Sequence, residues 1–136
     1  VIGLGVGTML SYDRQGVDFR LYEIASMVVD IAHKNFSFLS RTTAHTDIVL
    51  GDARLQLERE PDQRFDVLVV DAFSGDSVPV HLLTVEAFAQ YFRQLKPDGT
   101  LAVDITNRFL DFRPVVKTAA EHYKKGCSFG AVRKHP

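Results

Sequence analysis

Gly3, Gly5 and Gly7 fall within the run Val1-Ile2-Gly3-Leu4-Gly5-Val6-Gly7-Thr8, and three acids follow along the chain: Glu23, Asp52 and Asp71. Closely spaced glycines between a strand end and a helix start let backbone approach a ligand and aim N–H groups at it. The spacing is G-x-G-x-G, with Thr8 where a dinucleotide loop has its third glycine, which counts against a nicotinamide or flavin cofactor. Each acid sits at the carboxyl end of a predicted strand, the edge at which open α/β sheets bind ligands. A carboxylate at Glu23 can accept from both hydroxyls of a ribose, and Asp52, in Gly51-Asp52-Ala53, from an adenine amino group. The competing reading is that each acid caps the helix behind it. A glycine loop and three carboxylates at four consecutive strand ends favour a nucleoside pocket.

The elements that must position these residues are legible as alternating periods. Strand-length apolar runs occur at 17–24, 46–51, 65–71 and 100–105. Helical spacing occurs at 26–35, behind Ser26 as N-cap, and at 84–95, behind Thr84; Lys96-Pro97-Asp98-Gly99 then reads as a helix stop and turn. A last helix near 112–124 and a short strand near 127–132 complete the pattern. Parallel strands need crossovers, and a strand covered on both faces reads as a continuous apolar run such as Val67-Leu68-Val69-Val70. The expected fold is therefore α/β: a doubly wound, mostly parallel, Rossmann-like sheet with helices on both faces. Phe36, Phe38, Phe88, Phe92, Phe109 and Phe112 read as core or helix–sheet packing.

With 136 residues the chain has room for one domain, 1–136. Surface scaling for this mass gives about 7,000 Å² exposed against about 22,000 Å² unfolded, enough burial for a sizeable core. Sixteen basic and seventeen acidic residues give a net charge of −1, so no global field exists to hold a nucleic acid or an anionic membrane. The basic residues Lys124, Lys125, Arg133 and Lys134 read as a solvated terminal face, with a binding patch as the alternative. A single cysteine, Cys127, permits neither an internal disulfide nor a cysteine-based metal cage, and no metal site is expected. No apolar run approaches the roughly 20 residues that span a bilayer, and a cytoplasmic setting is expected. Val1 opens on a strand end without an initiator Met, so the chain reads as a piece of a longer protein, its sheet truncated at both ends.

Val1-Ile2-Gly3-Leu4-Gly5-Val6-Gly7, Leu21-Tyr22-Glu23-Ile24, Leu50-Gly51-Asp52-Ala53-Arg54 and Val69-Val70-Asp71-Ala72-Phe73-Ser74-Gly75-Asp76 resemble, in order and spacing, the motifs of the spermidine synthase (polyamine aminopropyltransferase) family, a branch of the class I S-adenosylmethionine-dependent methyltransferase fold. The resemblance runs from residue 1 to about 111. It is strongest toward bacterial spermidine-synthase-like domains, some of them fused to membrane transporter-like segments, which leaves a membrane-tethered parent open.

The resemblance implies that Gly3, Gly5 and Gly7 lie under the methionine-derived part of the ligand. It implies further that Glu23 holds the ribose, that Ile24 packs on adenine, and that Asp52 with Ala53 reads the adenine edge. Asp71 falls on the family's catalytic aspartate. The implied reaction moves an aminopropyl group from decarboxylated S-adenosylmethionine to a polyamine. Methyl transfer from S-adenosylmethionine and non-catalytic binding of a ligand or partner are the alternatives. The partners expected are a small-molecule nucleoside donor and an amine acceptor, with homodimerisation left open. Two departures bear on the amine: the family's second loop acid is replaced by Ser74, and the next acid is Asp76, five residues after Asp71. Ser74, Asp76 and Asn107 are the candidates for contacting it, with Arg108 facing the same cleft; turn formation is the other reading of Asn107 and Arg108. The stretch from Asp71 to His81 is long for a βα connection, as a substrate-covering loop would be. His81 reads either as a base or as an ordinary polar residue before the Thr84 cap.

Overall fold

The computed structural model describes residues 1–73, 78–107 and 109–130. Four strands alternate with helices: β1 (Asp18–Glu23), α1 (Ser26–Asn35), α2 (Phe38–Arg41), β2 (His45–Leu50), α3 (Ala53–Arg59), β3 (Phe65–Val70), α4 (Val85–Gln94), β4 (Leu95–Val103) and α5 (Arg113–His122). Short 3-10 turns lie at Thr8–Tyr12 and Val80–Leu82. β1 pairs with β2 and β3 with β4, both parallel. Ile2 joins the two pairs, bridging to Tyr22 on one side and Val70 on the other. The N-terminal segment thus runs between β1 and β3, giving the order β2, β1, N-terminal segment, β3, β4. This is the expected parallel α/β architecture.

Period-two alternation puts neighbouring residues of a strand into different cores. Leu21 joins Leu4, Leu10 and Ala32 in the layer beneath α1 and α2, whereas Tyr22 joins Ile2, Leu57, Leu68, Val70, Phe88 and Tyr91 in the layer formed by α3, α4 and α5. The two-sided burial expected of Val67–Val70 holds only in part. Leu68 and Val70 are buried, but Val67 is 56% exposed, because the layer under α1 and α2 includes no β3 residue. The total exposed area is 9188 Å², above that of a closed globule of this mass. Phe88 and Phe112 lie in the core with Phe92 packed against it, and Phe38 packs in the other layer, as expected. Phe36 and Phe109 are exposed instead.

Local chemistry explains most boundaries. The Thr84 hydroxyl accepts from the Ala87 N–H at 3.2 Å and caps α4, as its sequence position predicts. Ser26 is the first residue of α1 and not its cap; Ala25 holds that position, and its N–H donates to Glu23 Oε1 at 3.0 Å. Lys96–Gly99 interrupts the β3–β4 ladder, the partner of Phe65 being Leu95 and that of Val67 being Thr100. The expected strand near 127–132 is absent over 127–130; the rest of it lies outside the described residues. The free Cys127 is exposed, and no helix among the described residues is long and apolar enough to cross a membrane.

The end of α3 is held by α4. Gln94, fully buried, donates to the Leu57 carbonyl at 2.9 Å and accepts from the Gln63 N–H at 2.7 Å, while Arg93 also donates to the Leu57 carbonyl. Truncating Gln94 leaves the Gln63 N–H without its acceptor and opens a cavity. Gln94→Ala should therefore lose about 2–4 kcal/mol. Urea denaturation would read this as a lower midpoint at unchanged m-value.

Candidate functional site

The carboxyl edge of the sheet opens into a cavity of about 700 Å³, within the range of small-molecule sites. Gly3, Gly5, Glu23, Ile24, Asp52, Ala53 and Asp71 all line it, with Thr8, Phe73 and His81. Gly7 and Asn107 do not. Gly7 opens the 3-10 turn at Thr8, and the Asn107 side chain accepts from the Phe109 and Leu110 N–H groups, as a turn residue does. Ser74 and Asp76 lie outside the described residues, as does Arg108.

The glycine loop is shaped by the strand it crosses. Gly3 has φ +96°, and a Cβ there would stand 2.2 Å from the Asp71 carbonyl oxygen. Gly5 has φ +54°, and a Cβ on it would meet nothing within 4 Å. Gly3 therefore serves backbone approach between the N-terminal segment and β3, whereas Gly5 leaves space open on the cavity side.

The acids are held in different ways. Glu23 ends β1 at 8% exposure, and each of its oxygens is satisfied by backbone: Leu4 N–H donates to Oε2 at 3.1 Å and Ala25 N–H to Oε1 at 3.0 Å. These bonds fix the carboxylate between the glycine loop and the start of α1. Asp52 is a helix cap, the alternative raised by its position: its Oδ1 accepts from the Leu55 N–H at 3.0 Å at the start of α3. The cap does not consume the residue, because Asp52 also lines the cavity and its Oδ2 lies 3.0 Å from His81 Nε2.

Asp71 is held least. The Asp71 N–H donates to the Ile2 carbonyl at 2.8 Å. Among the described residues, no hydrogen bond to its carboxylate accounts for it as a loop holder. Partial burial pushes its pKa above the ordinary aspartate value, and the charge of Asp104 adds to the rise. Asp104, which the sequence analysis did not single out, does not line the cavity but acts on Asp71 through its charge. It follows β4 as Asp71 follows β3, and the Val70–Val103 pairing brings the two strand ends side by side. The available signal was an acid directly after each of two strands that turn out to be neighbours.

No family model matches the chain. The chain is 32% identical over 111 residues to a polyamine aminopropyltransferase of Vibrio vulnificus, an alignment covering 76% of this chain and 36% of that protein. It is 33% identical over 112 residues to an N-terminal histidine N-methyltransferase of Emericella nidulans, covering 76% of this chain and 19% of that protein. An uncharacterized protein of Methanocaldococcus jannaschii is 32% identical over 100 residues, 74% of this chain and 34% of its own length. The chain thus spans about a third or less of the curated relatives it matches. A solved structure of a Pyrococcus horikoshii protein superposes with a TM-score of 0.55 at 21% identity, over 75% of this chain and 45% of that one, and has the same fold.

The two glycines predict opposite outcomes. Gly3→Ala should cost well beyond the about 1–2 kcal/mol of left-handed backbone alone, because its Cβ collides with β3. Gly5→Ala should cost only about that strain, yet weaken any ligand filling the cavity. Chemical denaturation and ligand titration of the two variants separate the effects. The relatives support an S-adenosylmethionine-dependent methyltransferase-like family for the chain, and the solved structure shows the fold.

Proposed function

We propose that the cavity binds an S-adenosylmethionine-type donor and that the protein is an aminopropyltransferase, moving an aminopropyl group from decarboxylated S-adenosylmethionine to an amine of the polyamine class. One observation carries the choice of donor. The cavity is lined by three carboxylates, Glu23, Asp52 and Asp71, and by no Lys or Arg among the described residues. The decarboxylated donor carries a sulfonium and an ammonium and no carboxylate, so its charge complements such a lining. S-adenosylmethionine would bring a further carboxylate among acids. Methyl transfer is the second reading, favoured by the likeness to a histidine N-methyltransferase.

In this reading Glu23, fixed by two backbone donors, accepts from the ribose hydroxyls, and Ile24 covers a face of the base. Asp52 with Ala53 meets the base edge. Gly5 leaves room for the chain that bears the sulfonium, Gly3 lets the loop pass close beside β3, and Gly7 supports the loop from its far end. In the reaction an amine nitrogen forms a bond to the carbon attached to sulfur. The carbon–sulfur bond breaks, and its electron pair stays on sulfur as methylthioadenosine leaves. Alignment of nitrogen and carbon supplies much of the acceleration. Asp71 takes the proton that the ammonium must lose before it attacks, and its raised pKa makes it a better base than an exposed aspartate. Ser74 and Asp76 remain the candidates for gripping the rest of the amine.

Calorimetric titration tests the donor. Methylthioadenosine should bind more tightly than S-adenosylhomocysteine; the reverse order points to methyl transfer, and binding of neither points to a non-catalytic domain. Asp71→Asn should lower turnover by roughly a hundred- to ten-thousand-fold while leaving methylthioadenosine affinity within a few-fold. Asp71 acts ionised, so its raised pKa places the acid limb of kcat/KM above the ordinary aspartate range, activity falling as pH drops through it. Removing the neighbouring charge with Asp104→Asn should shift that limb to lower pH.

A further inference from the structure

His81 supplies the cavity lining with its imidazole, and no Lys or Arg among the described residues lines it. Its Nε2 lies 3.0 Å from Asp52 Oδ2, with the His81 side chain half exposed and that of Asp52 largely covered. Its backbone is anchored independently of that contact. His81 lies in the 3-10 turn Val80–Leu82, whose Leu82 is buried and whose Leu82 carbonyl accepts from the buried Tyr91 hydroxyl at 2.9 Å. Burial raises the Tyr91 pKa, the Asp52 charge adds to the rise, and the hydroxyl stays a donor through the neutral range.

Asp52 therefore has each oxygen engaged from a different element: Oδ1 by the first turn of α3, Oδ2 by the imidazole at the start of the α4 layer. A carboxylate held at both oxygens cannot rotate, yet each oxygen retains a free lone pair. The cavity stays open at about 700 Å³ with the pair in place, so the imidazole forms part of its wall and does not fill it.

We propose that His81 is a positioning residue for base recognition: it locks Asp52 as a pure acceptor toward the cavity, so that the site selects a nucleobase edge bearing an amino donor over one bearing an oxo group. The inference rests on the nucleoside reading of the cavity. A base with oxygen in place of the amino group sets an acceptor against an acceptor, the mismatch that hydrogen-bonding sites reject most strongly. A freely rotating Asp52 can turn aside and tolerate it. The other charged groups about the pair are Arg54 on the same helix as the Asp52 cap, Glu86 and Tyr91 on α4, and Glu23 and Asp71 across the cavity.

The test compares methylthioadenosine with methylthioinosine, two uncharged ligands differing at the amino group, on the full chain. The wild type should prefer the amino form, and His81→Ala should reduce that preference by about tenfold, the equivalent of one charge-assisted contact. His81→Gln, which can still donate to Asp52, should keep most of it. If His81→Ala keeps the full preference, or His81→Gln loses it as fully as the Ala variant does, the role of His81 is overturned and the nucleoside reading survives. If the wild type binds neither ligand, that reading falls and the proposal with it. The His81 side chain is half exposed, so truncation leaves no large cavity; should the Ala variant still fail to fold, His81→Leu, which keeps bulk without a donor, decides in its place.

Discussion

The site depends on how closely the N-terminal segment runs beside β3. Ile2 N–H donates to Val69 and Asp71 N–H donates back to Ile2, while on the other side Gly3 N–H donates to Tyr22 and Tyr22 N–H to Val1. These bonds bring Gly3 so near the Asp71 carbonyl that no side chain fits between them. Both strand neighbours of that segment lead to an acid, Glu23 as the last residue of one and Asp71 directly after the other. The ladder therefore dictates that a glycine loop and two carboxylates emerge together, and the next strand out, β2, delivers Asp52 to the same edge. No long-range electrostatic attraction is needed to gather these like charges; backbone pairing does it and bears the repulsion.

That repulsion is managed unequally, and the differences sort the acids by role. Glu23 is almost fully buried and receives a backbone donor at each oxygen, so it is preorganised as an acceptor. Asp52 is tied to the α3 N-terminus and to His81. Asp71 has neither support and faces the additional charge of Asp104, which is the environment that makes a carboxylate basic. A gradient from held to unheld acids along one edge is what a donor-binding subsite beside a proton-accepting one requires.

Much of this was legible in the chain. The strands at β1 to β4, the Thr84 cap and the arrival of Gly5, Glu23, Asp52 and Asp71 at one edge follow from period and spacing, because parallel α/β topology leaves few arrangements open. Other features depend on neighbours distant in sequence. Whether Val67 is covered depends on how far α1 and α2 extend, which the run Val67–Val70 does not encode. Ser26 looked like a cap by type, but Glu23 reaches the Ala25 N–H from the preceding strand and moves the cap position back by one. The two readings of Asp52, cap or base reader, are compatible because a carboxylate has two oxygens. Asp104 and the His81 contact become visible only once β4 lies beside β3 and the 3-10 turn is docked on Tyr91.

The central claim is that a single cavity at the carboxyl edge receives the adenosine part of the ligand. Amide chemical-shift mapping during titration with methylthioadenosine tests it most directly. The account predicts that Gly3, Gly5, Glu23, Asp52 and Asp71 shift together with one saturation curve, while residues along the β4 edge stay still. Saturating nucleoside that leaves those five amides unmoved, or perturbs a different face of the sheet, would contradict it.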